Sequence, residues 1–347
     1  MVYHLAVLRI KVETMDPLTQ GVLGAALPQA TVANKKQLAV AGTMGLLAGM
    51  APDLDVLIRS STDPLLFLEY HRQFTHSLFF IPFGALICAA VLWQLFGRRW
   101  GLNFKQAYIY CFLGYATHGL LDSCTTYGTQ LLWPFSDARI AWNNLPIIDP
   151  LYTLPILGLV VAAGWKQRVL FARLALAWIL IYPLIGVVQR DRATAVGWEI
   201  ASSRGHQPIQ LEAKPSFANL LVWKTVYETE DRYYVDAVRV GTTSKIYPGE
   251  SVEKLVLARD LPWLLPESQQ AKDIERFRWF SNGYIAKDPD NHYKVIDIRY
   301  SLIPNEIKAL WSLEVSPLAG IKDHALYTTT RDASGDAASA LKQMVFD

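Results

Sequence analysis

Apolar residues are gathered into long runs in the first half of the chain and dispersed in the second. From Gly21 to Val188 the sequence repeatedly passes through extended stretches without a charge. From Gln189 to Asp347 charged, aromatic and β-branched positions are intermixed. The cleanest run, Leu78 to Phe96, has 19 residues and no charge, which is long enough to cross a bilayer as a helix. A Gly/Ala-rich run before Lys35-Lys36, the run Gln37–Met50, the run Ala107–Leu121 and the run from Pro150 to Lys166 are shorter. Val169–Val188 is long and carries only Arg173 near one end. Asp16 followed by Pro17 predicts a helix start, because a carboxylate caps free backbone N–H groups and proline is tolerated at the first helical position. The pattern therefore predicts about six apolar helical segments, some short, forming a mainly α membrane helix bundle.

Beyond Gln189 the periodicity changes. Val196–Ser203 should prolong the last helix until Gly205-His206-Gln207-Pro208 breaks it. Leu220–Tyr227 and Arg232–Val240 flank Glu228–Asp231 as a hairpin, His292–Tyr300 and Ile307–Val315 read as two more strands, and residues 268–280 as a helix. The expected organisation has three parts. Residues 1–14 are an N-terminal extension before Met15, the expected start of translation. Residues 15–190 are a membrane-embedded helical domain, and residues 191–347 a small α+β extramembrane domain with a frayed tail near Ala333–Ala338.

Composition agrees with this division. Hydrophobic residues make up 52% of the 347 and mean hydropathy is +0.17, high for a soluble enzyme. A net charge of +2 gives no direct nucleic-acid signal. Cys88, Cys111 and Cys124 make no disulfide framework. Basic clusters Lys35-Lys36, Arg98-Arg99 with Lys105, and Lys166 with Arg168 follow the first, third and fifth runs. The positive-inside rule makes those loops cytoplasmic. The opposite ends then carry Asp16, Asp53, Asp55, His71, His76, His118, Asp122 and Asp149 on the outer face, with the α+β domain beside them. Trp133, Phe135 and Trp142 suit an aromatic belt at that interface.

The histidines and carboxylates carry the candidate chemistry. Tyr115, His118 and Asp122 share one helix face, and ionisable groups at membrane depth are expensive and rarely idle. His71 and His76 are five apart, so they converge only if His71 sits in a loop and His76 in the first turn of the next helix. Arg72 is then free to meet an anionic substrate. Asp53 and Asp55 follow Pro52, and Asp149 precedes Pro150; each reads as a helix cap or turn unless brought to the histidines. These residue types are ligands for zinc and its neighbours.

The ordered motifs Met15-Asp16-Pro17-Leu18-Thr19, Pro52-Asp53-Leu54-Asp55, His71-Arg72-Gln73-Phe74-Thr75-His76-Ser77 and Thr117-His118-x-x-Leu121-Asp122, the last followed by Thr125-Thr126-Tyr127-Gly128, resemble the YdjM-type family of LexA-binding, inner-membrane metal-dependent hydrolases. The resemblance covers about residues 15 to 190, and a fainter one to zinc phospholipase C and P1-type nucleases points to phosphoester chemistry. It implies a bacterial or archaeal inner (cytoplasmic) membrane protein; the apolar runs make it multi-pass, and the charge-derived orientation makes its C-terminal domain periplasmic. Where family members commonly have a histidine, this chain has Gln20, which puts one ligand in doubt.

Together these readings make Asp55, His71, His76, His118 and Asp122 the metal ligands for one to three divalent ions, zinc first, with manganese or magnesium left open. Asp53 or Asp149 would orient water, Arg72 would neutralise developing charge, and Asp16 and Gln20 would stand behind the ligands. The expected substrate is a phosphoester such as a lipid headgroup or a lipid-linked phosphate. Two rivals remain: a non-catalytic regulatory or scaffold protein with a structural metal or ion-pair cluster, and a metal- or proton-coupled transporter.

Overall fold

Helix α1 (Pro17–Thr31) starts where the Asp16 carboxylate accepts from Leu18 N at 3.1 Å, with proline at the first helical position. Helix α2 (Leu38–Met50) runs straight into a 3-10 turn, Ala51–Leu57, opened by Pro52. A short α3 (Leu66–Tyr70) and a 3-10 turn, Phe74–His76, lead to α4 (Ile81–Leu92), which a wider turn extends to Gly97. Helix α5 (Phe104–Cys124) begins in a capping box, Asn103 and Gln106 each satisfying the other's backbone N–H. Asp149 caps α6 (Pro150–Lys166), and α7 (Val169–Ser203) follows. The structure, a computed structural model, describes residues 16–330 and 335–346. The expected extension over residues 1–14 and the start at Met15 lie outside the described residues, as do residues 333–334 of the expected frayed tail.

Length and apolarity sort these helices. Two stretches can cross a membrane on that measure, Lys35–Leu57 and Val169–Ser203. A third is added if Leu66–His76 and Ile81–Gly97, bent by 85°, count as one broken span. The α6 helix is apolar but shorter. The six-segment expectation therefore narrows to two or three candidate spans, with shorter helices packed among them. Small residues explain the packing of α1, α2 and α5. A Cβ on Gly45 would collide with the carbonyl of Gly24 and the ring of Pro28, and one on Gly114 with the backbone of Gly45. Outer faces stay apolar: α4 exposes Phe83, Leu86, Ile87 and Val91, and α7 exposes Leu170, Leu180, Leu184 and Val188.

Two antiparallel sheets follow. The first contains β1 (Gln210–Pro215), β2 (Val222–Glu228), β3 (Arg232–Val240), β4 (Ser244–Tyr247) and β5 (Ser251–Glu253), in the order β1-β2-β3-β4 with β5 also on β3. The hairpin expected around Glu228–Asp231 is the β2–β3 pair, with Glu228 opposite Tyr233. After α8 (Leu257–Asp260) and α9 (Gln269–Phe280) comes the second sheet. Its strands β6 (Ile285–Lys287), β7 (Lys294–Asp297), β8 (Trp311–Glu314) and β9 (Leu326–Thr329) lie in sequence order. The tail is not frayed from Gly335 on. There α10 (Gly335–Phe346) forms and packs Leu341, Met344 and Val345 against Val222 and Ala237.

The two parts meet at one end of the helices. Val196 and Ile200 of α7 share a core with Ala213, Trp223 and Val238 of the first sheet. Arg276 of α9 reaches Asp63 at 2.9 Å and Glu69 at 2.6 Å, and the Tyr300 hydroxyl donates to Thr126 O. At the other end Val32, Leu38, Leu102 and Ala107 pack with Val169, which gathers the basic clusters there.

Within the first sheet Lys224 is buried and donates to Ser301 Oγ at 2.8 Å and Glu306 O at 2.7 Å. Burial pulls its ammonium down to about 7. The unfolded chain then holds a proton that the folded one lacks between roughly pH 7 and the ordinary lysine value near 10.4, so stability should rise with pH across that window. Lys224→Met should flatten the rise, which denaturant titrations at several pH values will read.

Candidate metal centre

Four elements place the site. One turn of α5 puts His118 and Asp122 on the same buried face. The 3-10 turn after α2 supplies Asp53 and Asp55. The stretch between α3 and α4 supplies His71, Arg72 and His76. His71 follows the end of α3, as its spacing required, but His76 closes a separate 3-10 turn, and α4 begins only at Ile81. Arg72 lies between them at φ 63, a left-handed conformation that costs a non-glycine residue on the order of 1 kcal/mol and recurs at functional sites. Tyr115 ties the assembly together by donating to Thr75 O at 2.8 Å.

Each imidazole is oriented through Nδ1. His71 Nδ1 lies 2.7 Å from Asp55 Oδ1, His118 Nδ1 2.5 Å from Gly49 O, and His76 Nδ1 3.2 Å from Asp55 Oδ2 and 2.9 Å from Thr75 Oγ1. A carboxylate and a carbonyl only accept, so Nδ1 carries a proton in each ring, which leaves Nε2 as the atom each imidazole can offer to a metal. Asp55 is fully engaged, since its Oδ2 also accepts from Arg72 N at 3.0 Å and Thr75 Oγ1 at 2.9 Å.

These atoms converge. His76 Nε2 and His118 Nε2 are 2.9 Å apart, each is 3.4 Å from Asp53 Oδ1, and they lie 3.2 Å and 3.7 Å from Asp122 Oδ2. Both Asp53 oxygens, Asp122 Oδ2 and His71 Nε2 are buried without a hydrogen-bond partner. Two carboxylates and two imidazole Nε2 atoms crowd one point where Arg72 reaches only Asp122, and the repulsion among these four groups falls when a cation lies among them. A single proton serves one such contact, whereas a divalent ion serves all four. The donor atoms of Asp53, His76, His118 and Asp122 lie within 4.8 Å of one another. A second group, Asp53, Asp55 and His71, meets the same limit and shares Asp53. The residues present therefore fit a divalent metal, with room for a second ion.

Surrounding groups complete the electrostatics. Arg72 Nε sits 3.2 Å from Asp122 Oδ2, its terminal nitrogen donates to Thr125 Oγ1 at 3.1 Å, and its guanidinium lies 4.7 Å from the Tyr127 ring centre. Tyr127 stands edge-on to His71 at 5.6 Å. Gln20 donates to Asp122 Oδ1 at 2.7 Å, so it contacts a ligand where an imidazole was expected to bind metal. Asp16 remains a cap, accepting from Leu18 N and Thr19 Oγ1. Asp149 caps α6 and accepts from Tyr182 at 2.7 Å, and it belongs to neither group of ligand atoms. Phe135 and Trp142 are exposed. Sequence reasoning missed Thr75, Thr125 and Tyr127 as partners of the site; two of them stand in the Thr125–Gly128 motif, which was the available signal.

Next to the centre, a cleft of about 700 Å3 separates Gln73 and Gln130 from Arg276 and Trp279 of α9. Asp55→Asn should lower metal affinity by about 10- to 100-fold without abolishing binding, because His71 and His76 use different carboxylate oxygens and the amide leaves only one of them able to accept. Metal titration of the chelated protein against a competing dye will measure this.

The chain matches the family described as YdjM inner membrane protein over residues 15–193. It is similar to the uncharacterized protein YfhP of Bacillus subtilis, 26% identical over 310 residues that cover 82% of this chain and 87% of the relative. It is also similar to the inner membrane protein YbcI of Escherichia coli, 32% identical over 155 residues that cover 42% of this chain and 80% of the relative. No solved structure matches.

Proposed function

The chain belongs to the YdjM inner membrane protein family, and from that premise and the His/Asp centre we propose a membrane-bound, divalent-metal-dependent hydrolase of phosphoesters. The observation that carries the reading is the convergence of His76 Nε2, His118 Nε2, Asp53 and Asp122, with both Asp53 oxygens and Asp122 Oδ2 buried without a hydrogen-bond partner. Asp53, His76, His118 and Asp122 would hold the first ion, and Asp53, Asp55 and His71 are the group that would take a second. Asp55 is the carboxylate that orients His71 and His76. The mixed imidazole and carboxylate set suits zinc. A metal so held supplies Lewis acidity and an acidified water near neutral pH. Arg72, already bound to Asp122, offsets negative charge as it grows on a phosphoryl group. Asp53 is the ligand that reaches the surface, with its side chain 10% exposed, so it is the one placed to take a proton from water.

The rim supports a lipid phosphoester as substrate. Leu54 and Leu57, on the same turn as Asp53, are 64% and 75% exposed, an apolar border suited to acyl chains. The ligands cluster at one end of the helices and not along their middle, which favours hydrolysis at a surface over transport. With Lys35, Lys36, Arg98, Arg99 and Lys166 at the opposite end, the centre and the sheet domain belong on the periplasmic side. The near-complete burial of the ligands favours one competing reading, a structural metal in a non-catalytic scaffold.

Purified protein should carry metal and hydrolyse a chromogenic phosphodiester and a phospholipid, with His118→Ala losing both properties. Metal-free wild-type protein overturns the centre; metal retained without hydrolysis of either substrate establishes the scaffold. A reporter fused after Asp347 that is active only in the cytoplasm overturns the orientation.

A further inference from the structure

Tyr127 touches a second guanidinium. Arg139, in the loop between α5 and α6, lies 5.2 Å from the Tyr127 ring centre and 5.4 Å and 5.7 Å from those of Phe280 and Trp279. Its donors reach only backbone carbonyls, those of Gly128 at 3.0 Å, Leu68 at 3.3 Å and His71 at 3.4 Å, and its Nε has no partner. Among the described residues no carboxylate pairs with it. Arg139 is half-buried with its Nε shut off from solvent; enclosing a guanidinium without a counter-ion is costly, and desolvation, with Arg72 and Arg299 nearby, pulls it down to about 10.

This cation lines a cavity of about 250 Å3 at the seam between the helical and sheet domains. From the sheet domain Lys214, Glu212 and Arg299 face the same space, and Asn143 and Asn282 add amides. Lys214 and Arg299 are 4% and 5% exposed. Lys214 is matched by Glu212 at 2.5 Å and Arg299 by Asp297 at 2.6 Å, so those charges cancel and Arg139 remains in excess. A neighbouring cavity of about 160 Å3 shares Thr126, Lys214 and Arg299 and adds Lys224.

We propose that this seam binds a small free oxyanion of the phosphate or sulfate class, at a site separate from the metal centre. Forked guanidinium donors and amides suit tetrahedral oxyanions. Because Arg139 comes from one domain and Lys214 and Arg299 from the other, the bound anion bridges the two and clamps the sheet domain onto the bundle. The inference does not depend on the hydrolase reading.

The test is thermal unfolding of the full chain in detergent, in millimolar inorganic phosphate against chloride at equal ionic strength. Wild-type and His118→Ala proteins should both show a saturable rise in Tm, on the order of 5 °C. Arg139→Gln should lose the response. Ala141→Glu, which puts a carboxylate on the cavity wall two residues from Arg139, should lose it too while melting higher than wild type without phosphate. Three results overturn the site: no phosphate-specific rise, a rise confined to wild type that places the anion at the metal centre, or an undiminished rise in Ala141→Glu.

Discussion

Asp122→Ala is expected to destabilise the protein by about 3–5 kcal/mol and to abolish metal binding. The carboxylate has four neighbours: Gln20 Nε2 at 2.7 Å, Arg72 Nε and His76 Nε2 at 3.2 Å, and His118 Nε2 at 3.7 Å. Removing it leaves the Arg72 guanidinium buried with only Thr125 and the Tyr127 ring beside it. That is a penalty of its own, separate from the lost ligand. Asp122→Asn keeps the volume and an acceptor but not the charge, so it should lose metal with a smaller drop in stability. Urea titration in detergent and elemental analysis of the same samples separate the two effects. Metal content unchanged in Asp122→Ala removes this residue from the ligand set.

Gly45→Val should fail to yield folded protein, a loss of more than about 3 kcal/mol, which exceeds the usual cost of overpacking. Here the obstacle is backbone: any Cβ at Gly45 meets the Gly24 carbonyl, and Gly114 of α5 closes on Gly45 from the other side. Neither neighbour has a side chain that can rotate away. The three helices so joined carry Gln20, the Asp53–Asp55 turn and the His118–Asp122 face, so a splayed contact also scatters the site. The control is Gly158→Ala in α6, where an added Cβ meets nothing within 4 Å; it should be neutral or stabilising by up to about 1 kcal/mol. Yield of monodisperse protein and midpoints of unfolding check both. Equal behaviour of the two variants sinks the packing argument.

Legibility followed the range of the interaction that decides each feature. His118 and Asp122 declare themselves because helix periodicity is local, and the β2–β3 hairpin because its turn and alternation are contiguous. The different hydrogen bonding of Asp53 and Asp55 was not readable. Two carboxylates two positions apart in a turn differ only in which oxygens His71, Thr75 and Arg72 N occupy. The setting of Tyr127 and Arg139 was invisible for the same reason, since their contacts with Phe280 span the domain seam. Strands β1, β4, β5, β6 and β9 have three to six residues, too few for a pattern, and exist through pairing with their neighbours. The number of candidate spans fell because α1 has only 15 residues and α5, though 21 long, carries Lys105, Gln106, His118 and Asp122.

Helix α7 runs unbroken for 35 residues, about 52 Å at 1.5 Å per residue, against a hydrocarbon thickness of about 30 Å. Where α7 crosses a bilayer its last third therefore stands clear, with Arg190, Asp191 and Arg192 at the point of exit. Gly186 packs on Asn144 O below that point and Gly197 on Leu211 above it, so one rod is clamped at two heights. The rod acts as a gauge of both height and phase. One residue inserted between the clamps turns the sheets by about 100° relative to the bundle, whereas seven nearly restore the angle but lift them by about 10 Å. Natural length variation in this family should consequently collect in the loops and spare α7.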